Sequence, residues 1–106
     1  GMHAPAMETY SYSTSKAACI QLTKHLAKRL AADKITVNAI APGPFESKMM
    51  AATLDAFGDA IRDSVPLKRI GKPEDMAGVA IYLASEAASY VTGAVIPVDG
   101  GMITTL

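Results

Sequence analysis

Tryptophan is missing from this sequence and cysteine nearly so: 106 residues hold no Trp, one Cys and only two Phe. One cysteine excludes an internal disulfide and fits a reducing compartment, so a cytoplasmic protein is expected. Net charge is missing too, with ten basic residues balancing ten acidic ones. That balance argues against nucleic-acid or membrane-surface partners. No apolar run reaches the roughly 18 residues of a membrane span, and no signal peptide is expected. The two histidines, His3 and His25, stand far apart without carboxylate or cysteine companions at ligand spacing, so no metal site is expected. Internal repeats and low-complexity tracts are also absent.

What is present is apolar. Half the residues are hydrophobic, and the length suits one small domain that buries roughly 60–70% of its unfolded surface. Gly1-Met2 has two readings that stand side by side: the remnant of a cleaved tag, or native residues of a longer chain.

Residues 1–9 carry no period and read as a loop. From Tyr10 to Ala32 the pattern is helical, with Ala18, Leu22, Leu26 and Leu30 as the apolar stripe and Cys19 and Ala27 beside it. Cys19 reads as buried core, and Tyr10 as a packing residue. Ile35 to Ala41 is β-branched and apolar, a buried strand stopped by Pro42-Gly43-Pro44. Residues 45–65 read as a less regular helical region whose apolar face is Leu54, Phe57, Ile61 and Val65. Pro73-Glu74-Asp75 opens a helix running to Ser85, with Met76, Val79, Ala80 and Leu83 on one side. Tyr90 to Gly93 is a turn, Ala94 to Val98 a second strand, and Asp99-Gly100-Gly101 its closing turn. This order is α/β, with parallel strands if the helices are crossovers.

Tyr12-Ser-Thr-Ser-Lys16 carries the chemistry. Tyr-x-x-x-Lys sets a phenol and an ammonium one helical turn apart on one face. Alone, the plain reading is a surface pair on a helix. Four further segments follow in order: Ile35-Thr-Val-Asn-Ala-Ile-Ala-Pro-Gly43, Pro66-Leu-Lys-Arg-Ile-Gly-Lys-Pro-Glu-Asp75, Tyr90-Val-Thr-Gly93 and Ile96-Pro-Val-Asp-Gly-Gly101. Together the five resemble the C-terminal half of a short-chain dehydrogenase/reductase, nearest the β-ketoacyl reductase-like branch.

The resemblance implies a fold class and a set of roles. Residues 1–106 would be the C-terminal part of one Rossmann-type domain, half of a doubly wound sheet and incomplete as a stand-alone fold. Its N-terminal nucleotide-binding half is not among these residues. Tyr12 would be the catalytic acid/base in carbonyl reduction or alcohol oxidation. Lys16 would hold the nicotinamide ribose and lower the phenol's pKa. Pro42 and Gly43 would flank the nicotinamide. Phe45 would offer its backbone to the carboxamide in place of a frequent Ile or Val, and Ser47 its hydroxyl in place of Thr. Plain alternatives are a strand stop for Pro42-Gly43 and a helix cap for Ser47. Met49, Met50, Leu54 and Phe57 fall where the family has its substrate lid; simple packing is the alternative. The cofactor would be NAD(P)(H), with NADPH favoured, the substrate a small carbonyl or alcohol, and the assembly a homo-oligomer.

Magnitudes bound the tyrosine's part. A free phenol has a pKa of about 10, and acid/base work near pH 7 asks for a shift worth about 4 kcal/mol. A positive charge at roughly 4 Å supplies about 4 kcal/mol at an effective dielectric of 20, but about 1 in water. Lys16 therefore activates Tyr12 only in a closed site. The family's Gly-rich turn for the pyrophosphate is not found in this sequence. By resemblance, its carbonyl-polarising serine falls upstream of residue 1. These gaps leave a second reading open: a non-catalytic structural or oligomerisation module.

Overall fold

The computed structural model describes the backbone of every residue but Gly1, Met2 and Met49, and the side chains from Thr14 onward, again without Met49. In chain order the elements are α1 (His3–Leu30), a 3₁₀ turn (Ala31–Asp33), β1 (Ala39–Pro42), α2 (Ala51–Ser64), α3 (Pro73–Leu83), a second 3₁₀ turn (Glu86–Ala88) and β2 (Val95–Val98). β1 and β2 form a two-stranded sheet. The Ala39 N–H donates to the Ala94 carbonyl at 2.9 Å and the Gly43 N–H to the Val98 carbonyl at 3.0 Å. The offset is the same at both ends, so the strands run parallel, as the expected crossovers require. The chain divides into two compact units, residues 1–39 with 91–95, and 40–90 with 96–106.

In the first unit, α1 begins at His3 and not at Tyr10. Pro5 is no obstacle there, because it falls in the first turn, where backbone N–H groups have no intrahelical partner. Ala4, Ala6, Met7 and Glu8 are sound helix formers. The helix ends through Lys34 in the left-handed region at φ 60°. Its N–H donates to the Ala31 carbonyl at 2.9 Å, and the Ile35 N–H reaches the Leu30 carbonyl at 3.2 Å.

The buried face of α1 corrects the expected stripe. Thr23 (6% exposed) and Ala27 (4%) are covered, whereas Leu22 is 57% exposed and Ala18 and Leu26 are also open. Small residues win because backbone comes close here: a Cβ on Gly93 would sit 3.5 Å from the Ala27 Cβ. The buried Thr23 hydroxyl is satisfied by donating to the Cys19 carbonyl at 2.8 Å. Cys19 itself is exposed, against the core reading: it shares the face of Thr23 but stands one turn ahead of the covered stretch.

The first strand is also shorter than expected, since residues 35–38 stand outside the ladder. Their opposite segment is a turn, with Gly93 at φ 74°; the Gly93 N–H donates to the Val37 carbonyl at 2.7 Å, and side chains supply the other links. The Val37 N–H donates to Thr92 Oγ1 at 3.0 Å. The Asn38 amide donates to the Val91 carbonyl at 3.1 Å and accepts the Ala94 N–H at 3.0 Å.

In the second unit, residues 45–48 and Met50 are not helical, contrary to the helical reading of 45–65. Phe45 instead forms a parallel bridge with Gly71, and α2 starts at Ala51. Val65 (1% exposed), Ile70, Ala88, Gly58 and Asp99 are the buried positions. Of the expected α2 face, Val65 is buried and Phe57 is 63% exposed. α3 begins at Pro73 as the sequence predicts, but ends at Leu83. Met76, Val79 and Leu83 are half-buried, while Ala80 is exposed. Gly100, at φ 63°, rests on Val65, since a Cβ there would lie 2.5 Å from the Val65 Cγ1. Asp99 pins the turn after β2 by accepting the Gly101 and Ile103 N–H groups at 2.9 and 3.0 Å.

Candidate functional site

The candidate residues fall in both units. In the first, Tyr12 and Lys16 lie one turn apart on α1; the Tyr12 side chain is outside the described residues. Lys16 precedes Thr23 by seven residues and Ala27 by eleven, so its position continues the covered line of the helix. Lys16 is nevertheless exposed. The covered stretch begins two turns further along.

In the second unit, Pro42 closes β1 and Gly43 makes the last rung to β2. Gly43 lies against Asp99: a Cβ on it would stand 2.7 Å from the Asp99 Cβ and 2.8 Å from its Cα. Beyond it the backbone turns to a new partner. The Gly71 N–H donates to the Pro44 carbonyl at 2.9 Å, and the Glu46 N–H donates to the Gly71 carbonyl at 2.9 Å. In extended backbone, alternate residues face opposite edges. With Pro44 and Glu46 turned to Gly71, the Phe45 N–H and C=O face the other way. A donor and an acceptor on one residue are the complement of a carboxamide. The Phe45 ring covers Gly71, where a Cβ would fall 2.6 Å from the ring's Cε1.

Ser47 caps. Its Oγ accepts the Met50 N–H at 3.1 Å, holding the turn that leads into α2. Met50 and Leu54 are half-buried and Phe57 exposed, at spacing four and three on one face of the helix start. Met49 lies outside the described residues.

Arg69, to which the sequence reading gives no role, and Asp75, which it reads only as part of a helix start, organise this region. Asp75 accepts both guanidinium nitrogens of Arg69, at 2.7 and 3.0 Å, and the Lys72 N–H at 2.8 Å. The Arg69 hydrogen bonds, then the Lys72 N–H, hold its carboxyl well below the usual carboxylate range. The same pairing raises Arg69. Arg69, Gly71 and Asp75 line a cleft of about 320 Å³ with Pro44, Phe45 and Asp99. The signal was in the sequence: an Arg two before Gly71 and an acid at the third helix position, which is a capping pattern. Among the described residues no acid, His and Cys cluster could hold a metal. No described helix is long and apolar enough to cross a membrane.

The family described as enoyl-(acyl carrier protein) reductase matches residues 2–103. Over 92 residues the chain is 48% identical to a 3-oxoacyl-(acyl-carrier-protein) reductase of Aquifex aeolicus, matching 87% of this chain and 37% of that protein. The chain belongs to the short-chain dehydrogenase/reductase family. A cyclohexanol dehydrogenase of a Rhodococcus species is 49% identical over 92 residues, matching 86% of this chain and 34% of that protein. The Pseudomonas aeruginosa RhlG/NADP active-site complex superposes with a TM-score of 0.81 at 47% identity, covering 88% of this chain and 38% of that one. This short-chain dehydrogenase/reductase sequence thus spans under half the length of the relatives it matches. Their names carry different substrates at almost equal identity, so identity does not select one.

Proposed function

We propose that these 106 residues are the C-terminal part of an NAD(P)(H)-dependent oxidoreductase that reduces a carbonyl or oxidises an alcohol. In it they form part of one Rossmann-type domain. The observation that carries the reading, beside family membership, is the backbone at Phe45. Its N–H and C=O face away from Gly71, as a carboxamide-binding edge must. When bound, the cofactor donates or accepts the hydride. Tyr12 gives its phenolic proton to the carbonyl oxygen in reduction and takes one from the alcohol in oxidation. Lys16 binds the ribose hydroxyls and favours the phenolate. Pro42 and Gly43 border the cofactor, and Ser47 offers it a hydroxyl. Met49, Met50, Leu54 and Phe57 shield the substrate. NADPH is the favoured form, in keeping with the NADP named in the Pseudomonas complex.

The exposure of Lys16 favours a second reading for the isolated chain, a structural or oligomerisation module without catalysis. Fluorescence titration with NADPH and NADH separates the two. Saturable binding abolished by Lys16→Ala supports the oxidoreductase reading for this polypeptide. No binding at millimolar cofactor confines the activity to a longer protein. The open leucine face of α1 also supports a homo-oligomer. A monodisperse monomer at micromolar concentration in light scattering would refute that.

A further inference from the structure

We propose that Arg69 and Asp75 are a positioning pair for the cofactor-facing backbone of Phe45. The inference rests on the role given to Phe45 above. The Asp75 carboxylate grips the loop on both sides of Gly71, holding the Arg69 side chain in a two-pronged contact and the Lys72 backbone N–H. Between these anchors Ile70 is buried. Gly71 then makes both backbone bonds that orient Pro44 and Glu46, and it accepts the Phe45 ring on its bare Cα. Phe45 is therefore fixed through its neighbours and its ring onto a loop that Asp75 closes.

Capping α3 needs only the bond from Asp75 to Lys72. Arg69 adds nothing to that cap. What it adds is a fixed residue 69, ahead of Gly71. The pair also differs from an ordinary surface ion pair, whose single flexible contact contributes little. Both prongs of the guanidinium are used, which fixes direction as well as distance. Arg69, Asp75, Gly71 and Phe45 all line the same cleft, so the pair faces the backbone it would position.

Amide hydrogen exchange by NMR tests the coupling on the 106-residue chain, with NADPH titration in parallel. Arg69→Gln leaves the α3 cap in place, so it keeps the test alive if Asp75→Asn fails to fold. Both variants should speed exchange at the Gly71 and Glu46 amides by about tenfold, through local opening of the loop. The Ala39 and Gly43 amides, bonded across the sheet, should not change. Asp75→Glu, which retains a carboxylate at the same helix position, should restore slow exchange. NADPH affinity should fall several-fold in Arg69→Gln and return in Asp75→Glu, without a matching change in thermal midpoint. Unchanged exchange at Gly71 and Glu46 in Arg69→Gln overturns the proposal, as does unchanged NADPH affinity in that variant. A parent chain that binds no NADPH counts against the oxidoreductase reading of this polypeptide alone, and the exchange result still decides the positioning.

Discussion

Gly43→Ala should destabilise the chain, and the cause is steric. Gly43 does not adopt a positive φ, so alanine meets no backbone strain there. The added methyl would instead stand 2.7 Å from the Asp99 Cβ and 2.8 Å from its Cα. Contact between carbons is comfortable at about 3.5–4.0 Å. The Asp99 Cα belongs to the backbone and cannot rotate aside, so the strand ends must part by most of an ångström. That movement works against the rung from the Gly43 N–H to the Val98 carbonyl. It also disturbs the carboxylate that holds the Gly101 and Ile103 N–H groups. Overpacking of this kind costs about 1–3 kcal/mol. For a domain of this size each kcal/mol moves the midpoint by roughly 4–8 °C, so a drop of about 5–20 °C is expected.

Gly78→Ala is the matched control, in the same unit. Gly78 lies inside α3, and an added Cβ would meet nothing within 4 Å. Alanine there removes only the glycine's entropic penalty, so stability should rise by about 0.5–1 kcal/mol. Thermal and urea unfolding by circular dichroism measures both variants. Opposite signs are expected. A Gly43→Ala chain as stable as its parent, beside a stabilised Gly78→Ala chain, would refute the close approach of Gly43 and Asp99.

Asn38→Ala removes both side-chain bonds that stand in for rungs before β1, and should cost about 1–3 kcal/mol in urea unfolding. Lys34→Gly replaces a non-glycine residue at φ 60° and should stabilise by about 1 kcal/mol in the same assay. The Asp75 carboxyl binds its proton less readily in the folded chain than in the unfolded one. Its contribution is therefore present above the unfolded pKa of about 4 and fades as pH falls from there toward the lower folded value. Thermal midpoints between pH 5 and 2 should decline more steeply for the parent than for Asp75→Asn; equal slopes would dismiss the pairing.

Elements whose cause is local could be read from the sequence. Pro73 and Asp75 mark the start of α3 because a proline at the first position and an acid at the third satisfy orphan backbone groups there. Pro42-Gly43-Pro44 marks the end of β1 because two prolines withhold donors from a ladder. β2 lies where β-branched residues cluster, at Val95, Ile96 and Val98, whereas β1 begins only after the cluster at Ile35, Thr36 and Val37. The misread features depend on distant partners. Phe45 sits among residues with helical periodicity, yet its partner Gly71 is far along the chain, and no local pattern reveals that bridge. The α1 face was misjudged for a related reason. Leu22 and Leu26 have the strongest apolar pattern, but Thr23 and Ala27 have the room for a close backbone. Leucine spacing records an apolar face, while the contact made within the first unit is chosen by size. The proposed pair is visible in the sequence as Tyr-x-x-x-Lys; its setting is not, because exposure at Lys16 depends on what surrounds α1.

That exposure links the site's electrostatics to its assembly. An ammonium near a phenol contributes about 1 kcal/mol in water and about 4 at an effective dielectric of 20. A tyrosine working near neutral pH draws on the larger figure. A lysine as exposed as Lys16 would act through the smaller one. The missing factor of four cannot come from moving the two residues closer, because one helical turn already fixes their spacing. It has to come from removing water. Cofactor, substrate, a partner copy or further chain could each do so. On the reading proposed above, activity should therefore appear only where water is excluded from the pair, so that any preparation in which Lys16 remains open would hold the two residues at the proposed spacing without the dielectric that such chemistry asks for.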